Sequence, residues 1–179
     1  MSTLFGKKGA DRSGPEFVYA GANDQAMNRD AQLREMNDIY QLMADGRKGY
    51  KEAADRAKDE RLSGLLTRLS QQRESMENEL GAEIRRFKPD DHTQEGTLKG
   101  VLHRTWMDIR TALGTADDST VLDECERGER YLLDRLNAVI GQEPIAPTSR
   151  NLLMGQRGMV EQNLAQVEQL LSEFRSVDK

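Results

Sequence analysis

The sequence predicts an all-α fold, an antiparallel four-helix bundle with an additional helical crossover between the second and third bundle helices. The composition is typical of a bundle with a solvated exterior, because 36% of the 179 residues are hydrophobic, 32% are charged and only 5% are aromatic. Four long segments repeat apolar residues at spacings of three and four, as one buried helix face requires. Arginine, glutamine or glutamate interrupts each stripe near its middle, and we expect any functional site at these interruptions.

The first two helices, A and B, are predicted to form a hairpin. Helix A spans about residues 30–58, and Asp59 is placed to cap helix B, which ends before Pro89. Because the junction is short, A and B must run antiparallel. The inward residues of helix A are Met36, Ile39, Tyr40, Met43, Gly46, Arg47, Tyr50, Ala54 and Ala57. Those of helix B are Leu62, Leu65, Leu66, Leu69, Arg73, Met76, Leu80, Ile84 and Phe87.

Helices C and D are predicted to form the second hairpin. Asp117 and Asp118 offer N-caps for helix C, a glycine and two prolines mark the turn, and helix D spans about residues 148–177. The inward residues of helix C are Val121, Leu122, Cys125, Glu129, Leu132, Leu133, Leu136 and Ile140. Those of helix D are Leu153, Gln156, Val160, Leu164, Val167, Leu171 and Phe174.

The connection between the two hairpins determines the predicted topology. Helices of this length are about 40 Å long, whereas the polar residues 88–96 span only about 30 Å when fully extended. An amphipathic helix over about residues 97–113 adds roughly 25 Å and lets the chain return along the bundle. We therefore expect a helical crossover in residues 88–116, with helices B and C parallel.

The chain is expected to divide into a flexible N-terminal arm, residues 1–28, and one helical domain, residues 29–179. The arm is rich in glycine and shows no helical period. No apolar segment is long enough for a signal peptide or a membrane span, so we expect a cytoplasmic protein without a membrane partner.

The charge distribution argues against nucleic acid as a partner. The 26 basic residues are scattered among 31 acidic ones, and the formal net charge is −5, so no broad basic face is present. The single cysteine, Cys125, lies on an apolar stripe, where a small buried hydrophobic residue is expected rather than a reactive thiol.

Several segments resemble an uncharacterised bacterial branch of the ferritin-like four-helix bundles. They are ADGRKGYKEAA at residues 44–54, Gln72-Arg73, HRTWMD at residues 103–108 and ECERGE at residues 124–129, and the likeness covers about residues 33–175. The resemblance implies a ferritin-like fold without an assigned reaction, together with an association with stress responses.

Di-iron members of the wider ferritin-like group take a glutamate from each of two helices and a Glu-x-x-His pair from each of the other two. This chain departs from that pattern. Its only histidines, His92 and His103, fall in the linker and the crossover helix, and neither follows a glutamate at the required spacing. We therefore expect no cofactor.

Polar residues from all four helices are predicted to meet at one height when residues are counted from the turns. Buried arginine and carboxylate groups are expected to pair, and arginine repels a metal ion while it binds carboxylate. We predict an ion-pair and hydrogen-bond layer in place of a di-metal centre. Its members are Arg47, Gln72, Arg73, Glu126, Glu129, Gln156 and Arg157.

The leading functional hypothesis is a non-enzymatic structural or interaction role. One alternative is an iron- or manganese-binding oxidase or storage protein, in which Glu126 and Glu129 are ligands at i, i+3 spacing. Tyr40, Tyr50 and Glu77 would complete that ligand set. A second alternative is a small anion such as phosphate, held by the arginines. A homodimer is a further hypothesis, and the sequence does not identify a protein partner for the arm.

Overall fold

A computed structural model describes residues 15–87, 118–143 and 145–177, with the side chains of these ranges described from residue 29 to residue 176. Within these ranges the protein has four helices and no strand, so the prediction of an all-α helical bundle is confirmed. The helices are α1 (Pro15–Ala54), α2 (Glu60–Phe87), α3 (Asp118–Ile140) and α4 (Pro147–Val177). The predicted crossover helix, about residues 97–113, lies outside the described residues.

Helix α1 differs most from its predicted limits. It begins at Pro15, well before the predicted start at Asp30, and ends at Ala54 rather than at Lys58. Proline is favoured at the first position of a helix because the N–H that it lacks has no intrahelical partner there. Residues 15–28, which we assigned to the arm, therefore belong to a helix, whereas residues 1–14 lie outside the described part of the chain. The flexibility of the arm stays a prediction.

The turn between α1 and α2 is organised by Asp59. Its Oδ1 accepts hydrogen bonds from the backbone N–H groups of Arg61, at 2.7 Å, and Leu62, at 3.3 Å. Its carbonyl oxygen accepts the first helical bond from Ser63 N–H, at 3.0 Å. These are the bonds of an N-cap residue, and they satisfy donors that have no partner inside the helix.

A hydrogen bond in the same turn indicates the relative orientation of α2 and α3. The backbone N–H of Asp59 donates to Oδ2 of Asp118, the first residue of α3, at 3.0 Å. The N-termini of α2 and α3 therefore lie at the same end of the bundle, and the two helices run parallel. At the opposite end, Glu83 near the C-terminus of α2 accepts a hydrogen bond from Ser149 in the first turn of α4.

The helices surround one core in two tightly packed pairs, α1 with α2 and α3 with α4. Smaller contacts join α1 to α3 and α2 to α4, so α2 and α3 are diagonal to each other. None of the helices in the described ranges is both long enough and apolar enough to span a membrane.

The core divides into two apolar clusters along the bundle axis. One cluster includes Met36, Ile39, Met76, Leu80, Leu136 and Leu153, and the other includes Tyr50, Leu62, Leu66, Leu69, Leu122 and Val167. On α2, Arg73 lies between Leu69 and Met76, so a buried charge falls at the junction of the two clusters.

Candidate functional site

A buried cluster of Tyr50, Arg73 and Glu129 lies at this junction. The three residues are 4%, 2% and 0% exposed, respectively. Arg73 Nη2 donates a hydrogen bond to Glu129 Oε1 at 2.5 Å, and the Tyr50 hydroxyl donates to the same oxygen. The guanidinium carbon of Arg73 also lies 6.0 Å from the centre of the Tyr50 ring. One carboxylate oxygen therefore receives donors from two other helices.

Helical periodicity and the bundle arrangement together place these side chains. Arg73 follows Leu69 by four residues and precedes Met76 by three, and Glu129 holds the corresponding position between Cys125 and Leu132. Because α2 and α3 are diagonal, the Arg73–Glu129 ion pair crosses the centre of the bundle.

Gly46 of α1 lies against the Arg73 side chain. A Cβ at this glycine would lie 3.6 Å from Arg73 Nε and 3.8 Å from Cδ, which is ordinary van der Waals contact. Alanine therefore fits at position 46, although glycine costs more helix stability than alanine. A larger side chain would extend further toward the guanidinium.

Gln156 of α4 extends the polar region on one side. Its Nε2 donates to the carbonyl oxygen of Met76 at 3.0 Å, and Arg73 Nη1 lies 3.3 Å from the Met76 sulfur. Gln156 and Arg73 therefore contact the same residue of α2. Gln156 Oε1 and Glu129 Oε2 are buried without a hydrogen-bond partner.

Asn163 is a buried polar residue that the sequence analysis missed. It is 3% exposed, and its Nδ2 has no hydrogen-bond partner. The signal was present, because Asn163 follows Val160 by three residues and precedes Val167 by four, which is core spacing. We instead assigned Leu164, which lies on the same side of α4 and is also buried.

Four members of the predicted layer lie at the edge of the bundle rather than in its centre. Arg47 pairs with Glu77 at 2.8 Å, and Glu126 pairs with Arg130 at 2.8 Å. The other two, Gln72 and Arg157, are partly exposed, and the side chains of Arg47, Glu126 and Arg157 are 31%, 25% and 35% exposed. The layer is therefore smaller than the predicted seven residues.

For Gln72, Glu126 and Arg157, the physical reason is the angular position of the residue on its helix. Gln72 precedes the buried Arg73, Glu126 follows the buried Cys125, and Arg157 follows the buried Gln156. A shift of one residue turns a side chain by about 100° around the helix axis. Long charged side chains at such positions reach toward water and pair there.

Burial and neighbouring charge determine the protonation behaviour of the cluster. Desolvation, and then the Glu129 carboxylate, raise the pKa of the Tyr50 hydroxyl well above 10. For Arg73, burial lowers the pKa, but the neighbouring Glu129 carboxylate is the largest opposing effect and the net pKa is raised. Burial likewise raises the pKa of the Cys125 thiol. Tyr50 and Cys125 therefore stay protonated and Arg73 stays charged at neutral pH.

The donors in this cluster do not fit a di-metal centre. Glu129 Oε1 already binds Arg73 and Tyr50, and the adjacent guanidinium would repel a cation. Glu126 is directed to Arg130 and does not converge with Glu129. Tyr40 and Glu77, two residues of the alternative ligand set, interact with each other and with Arg47. In the described part of the chain, no group of three or more His, Cys, Asp or Glu side chains is arranged to hold a metal ion.

A second buried polar cluster lies at the end of the bundle where α4 begins. Glu83 of α2 is 6% exposed and accepts hydrogen bonds from Ser149 at 2.8 Å and Thr148 at 3.0 Å. Arg86, a surface residue one turn away, pairs with the other carboxylate oxygen at 3.2 Å. A carboxylate is favoured at this position because the N-terminus of a helix carries a partial positive charge. Glu83 was not among the polar residues predicted from the sequence to be buried.

The fold and the site together define a helical bundle with a charge-compensated core. A family model described as Domain of unknown function (DUF2383) matches residues 31–142. This match covers more than half of the chain, and the chain belongs to that family. No curated protein matches the chain.

Proposed function

We propose that this protein is a non-enzymatic, ferritin-like bundle with a structural or interaction role, in which the Tyr50–Arg73–Glu129 cluster takes the place of a di-metal centre. Two packed helix pairs, with parallel second and third helices at diagonal positions, support the ferritin-like topology. The helical crossover predicted for residues 88–116 lies outside the described residues and stays a prediction. The link to stress responses stays a prediction.

The bond from Arg73 to Glu129 carries this proposal. Arginine keeps its proton at physiological pH and cannot ligate a metal. Its guanidinium and the Glu129 carboxylate neutralise each other at 2.5 Å in a site that is closed to solvent. A buried pair of this kind specifies how helices fit together more readily than it performs proton transfer, because neither partner is accessible to a substrate.

Metal content is the direct test. The full chain is purified from cells supplied with iron and manganese, and the bound metal is measured by elemental mass spectrometry. We expect substoichiometric metal, unchanged in Glu129→Gln and in the exposed control Asp134→Asn. Stoichiometric metal that is lost in Glu129→Gln, but retained in Asp134→Asn, would support the iron or manganese alternative and overturn the proposal.

A further inference from the structure

The outward face of α4 differs in charge from the rest of the described surface. Eight residues between positions 151 and 169 are exposed, and Glu161 is the one charged residue among them. On α2, by contrast, seven of the twelve exposed residues are charged. Met154 lies on this α4 face and is 44% exposed. Among the described residues it is the one large hydrophobic residue that is exposed. The exposed members of the face are Asn151, Met154, Gly155, Glu161, Gln162, Ala165, Gln166 and Gln169.

Two glycines on this face are not required by packing among the described residues. A Cβ built at Gly155 or at Gly158 would have no neighbouring atom within 4 Å. Each glycine inside a helix costs about 1 kcal/mol relative to alanine. A Cβ at Gly46, in contrast, would contact the Arg73 side chain of its own bundle. Gly155 and Gly158 would instead allow another backbone to approach α4 closely.

We propose that this face of α4 binds the same face of a second copy, as an antiparallel, two-fold symmetric contact centred near Gly158. A two-fold contact between identical helices pairs residues on either side of the axis with each other. Met154 of each copy then lies near Gln162 of the partner copy, and the two Gly158 residues face each other. Depletion of charged residues is the composition expected at the centre of a protein interface.

Charge complementarity favours a second copy as the occupant. Each chain carries a formal net charge of −5, so the repulsion between two copies is least where they meet on a surface with little charge. Arg157 and Glu161 flank the proposed axis and are 35% and 52% exposed. Within one chain they lie 3.4 Å apart, and Arg157 Nε has no hydrogen-bond partner. Across the two-fold axis, Arg157 of each copy can reach Glu161 of the other, which gives two reciprocal ion pairs.

Sedimentation equilibrium of the full chain over a range of concentrations tests the proposal. We expect a dimer whose dissociation constant rises by about tenfold or more in Gly158→Gln, because the added side chain separates the two backbones. The matched control is Gly128→Gln on α3, since a Cβ at Gly128 also meets no atom within 4 Å. That variant should leave the dissociation constant unchanged.

Charge reversal provides the second arm of the experiment. Arg157→Glu should weaken the dimer, because it places like charges across the axis, and Arg157→Glu combined with Glu161→Arg should restore it. Circular dichroism verifies that each variant keeps its helices. A wild-type monomer at every concentration would overturn the proposal, and so would a dimer that withstands both Gly158→Gln and Arg157→Glu. The proposed metal-free role does not depend on this outcome.

Discussion

At the scale of single residues, the central question is how the bundle accommodates a guanidinium in its core. Arg73 is compensated by one carboxylate, and that carboxylate also accepts the Tyr50 hydroxyl. Removing one charge of a buried pair leaves the other uncompensated, which is far more costly than removing both. The cluster should therefore behave as one unit.

We predict that Arg73→Met lowers the free energy of unfolding by about 3–5 kcal/mol, because Glu129 remains buried without its partner. The triple variant Tyr50→Phe, Arg73→Met, Glu129→Leu should recover most of this loss, because it removes all three polar groups together. Urea denaturation measures each value. The control Arg130→Met removes two surface ion pairs, with Glu126 and Glu168, and should cost no more than about 1 kcal/mol. Equal losses in Arg73→Met and Arg130→Met would contradict a buried pair.

Tyr50 should make stability dependent on alkaline pH. Burial raises its pKa in the folded protein above the ordinary value of 10.0, so the unfolded chain loses this proton first as the pH rises. The stabilising contribution is complete below pH 10 and is lost as the pH increases above it. We expect the free energy of unfolding to fall less steeply above pH 10 in Tyr50→Phe than in the wild type. Urea denaturation at each pH measures this free energy. An equally steep fall with pH in the two proteins would show that Tyr50 does not contribute to the pH dependence of stability.

The residues of this cluster differ in how far the sequence predicted them. Arg73, Glu129 and Gln156 occupy positions of apolar stripes, so local periodicity was enough to place them on inward faces. Gln72 and Arg157 were included in the predicted layer because they lie at the same position along the bundle axis. That position does not determine whether a side chain points into the bundle or toward solvent. Asn163 was missed because leucine at the next position satisfies the same spacing.

At the level of single helices, the N-cap of α2 was predicted from the sequence, and its contribution to stability can be measured. We predict that Asp59→Ala lowers the free energy of unfolding by about 1 kcal/mol, because two backbone donors lose their acceptor. Thermal or urea unfolding provides the measurement. Asp55→Ala in the same turn is the control, and it should change stability less than Asp59→Ala.

The start of α4 depends on a residue from another helix. We predict that Glu83→Ala lowers the free energy of unfolding by about 1–3 kcal/mol, because the buried Ser149 hydroxyl loses its acceptor. Glu79→Ala, one turn earlier on α2, removes an exposed carboxylate and should have a smaller effect. Urea denaturation of the two variants distinguishes these outcomes. A loss in Glu79→Ala as large as that in Glu83→Ala would show that Glu83 has no special role.

Helix limits were predictable where capping chemistry is local. The start of α2 follows from Asp59, and the starts of α3 and α4 lie within one residue of their predicted positions. The start of α1 did not follow from periodicity, since the glycines before Asp30 obscure any helical pattern.

At the scale of the whole molecule, the shared direction of α2 and α3 can be measured directly. Spin labels are attached to two cysteine pairs, Arg61→Cys with Thr120→Cys and Arg61→Cys with Ala138→Cys, both in a Cys125→Ala background. Because the N-termini of α2 and α3 meet, the first distance should be shorter by roughly 20 Å at a rise of 1.5 Å per residue. Double electron–electron resonance gives both distances. The reverse order would require antiparallel helices.

Local amino-acid patterns were sufficient to predict the helical class, the two short turns and the presence of Arg73 and Glu129 on inward faces. These properties depend on the helical period and on capping groups close in sequence, so neighbouring residues are sufficient to specify them. Only the tertiary structure decided that Arg73 and Tyr50 share one oxygen of Glu129, and that Arg47 and Glu126 pair elsewhere. Those choices depend on the relative rotation and height of helices that are distant in sequence, which no local pattern records.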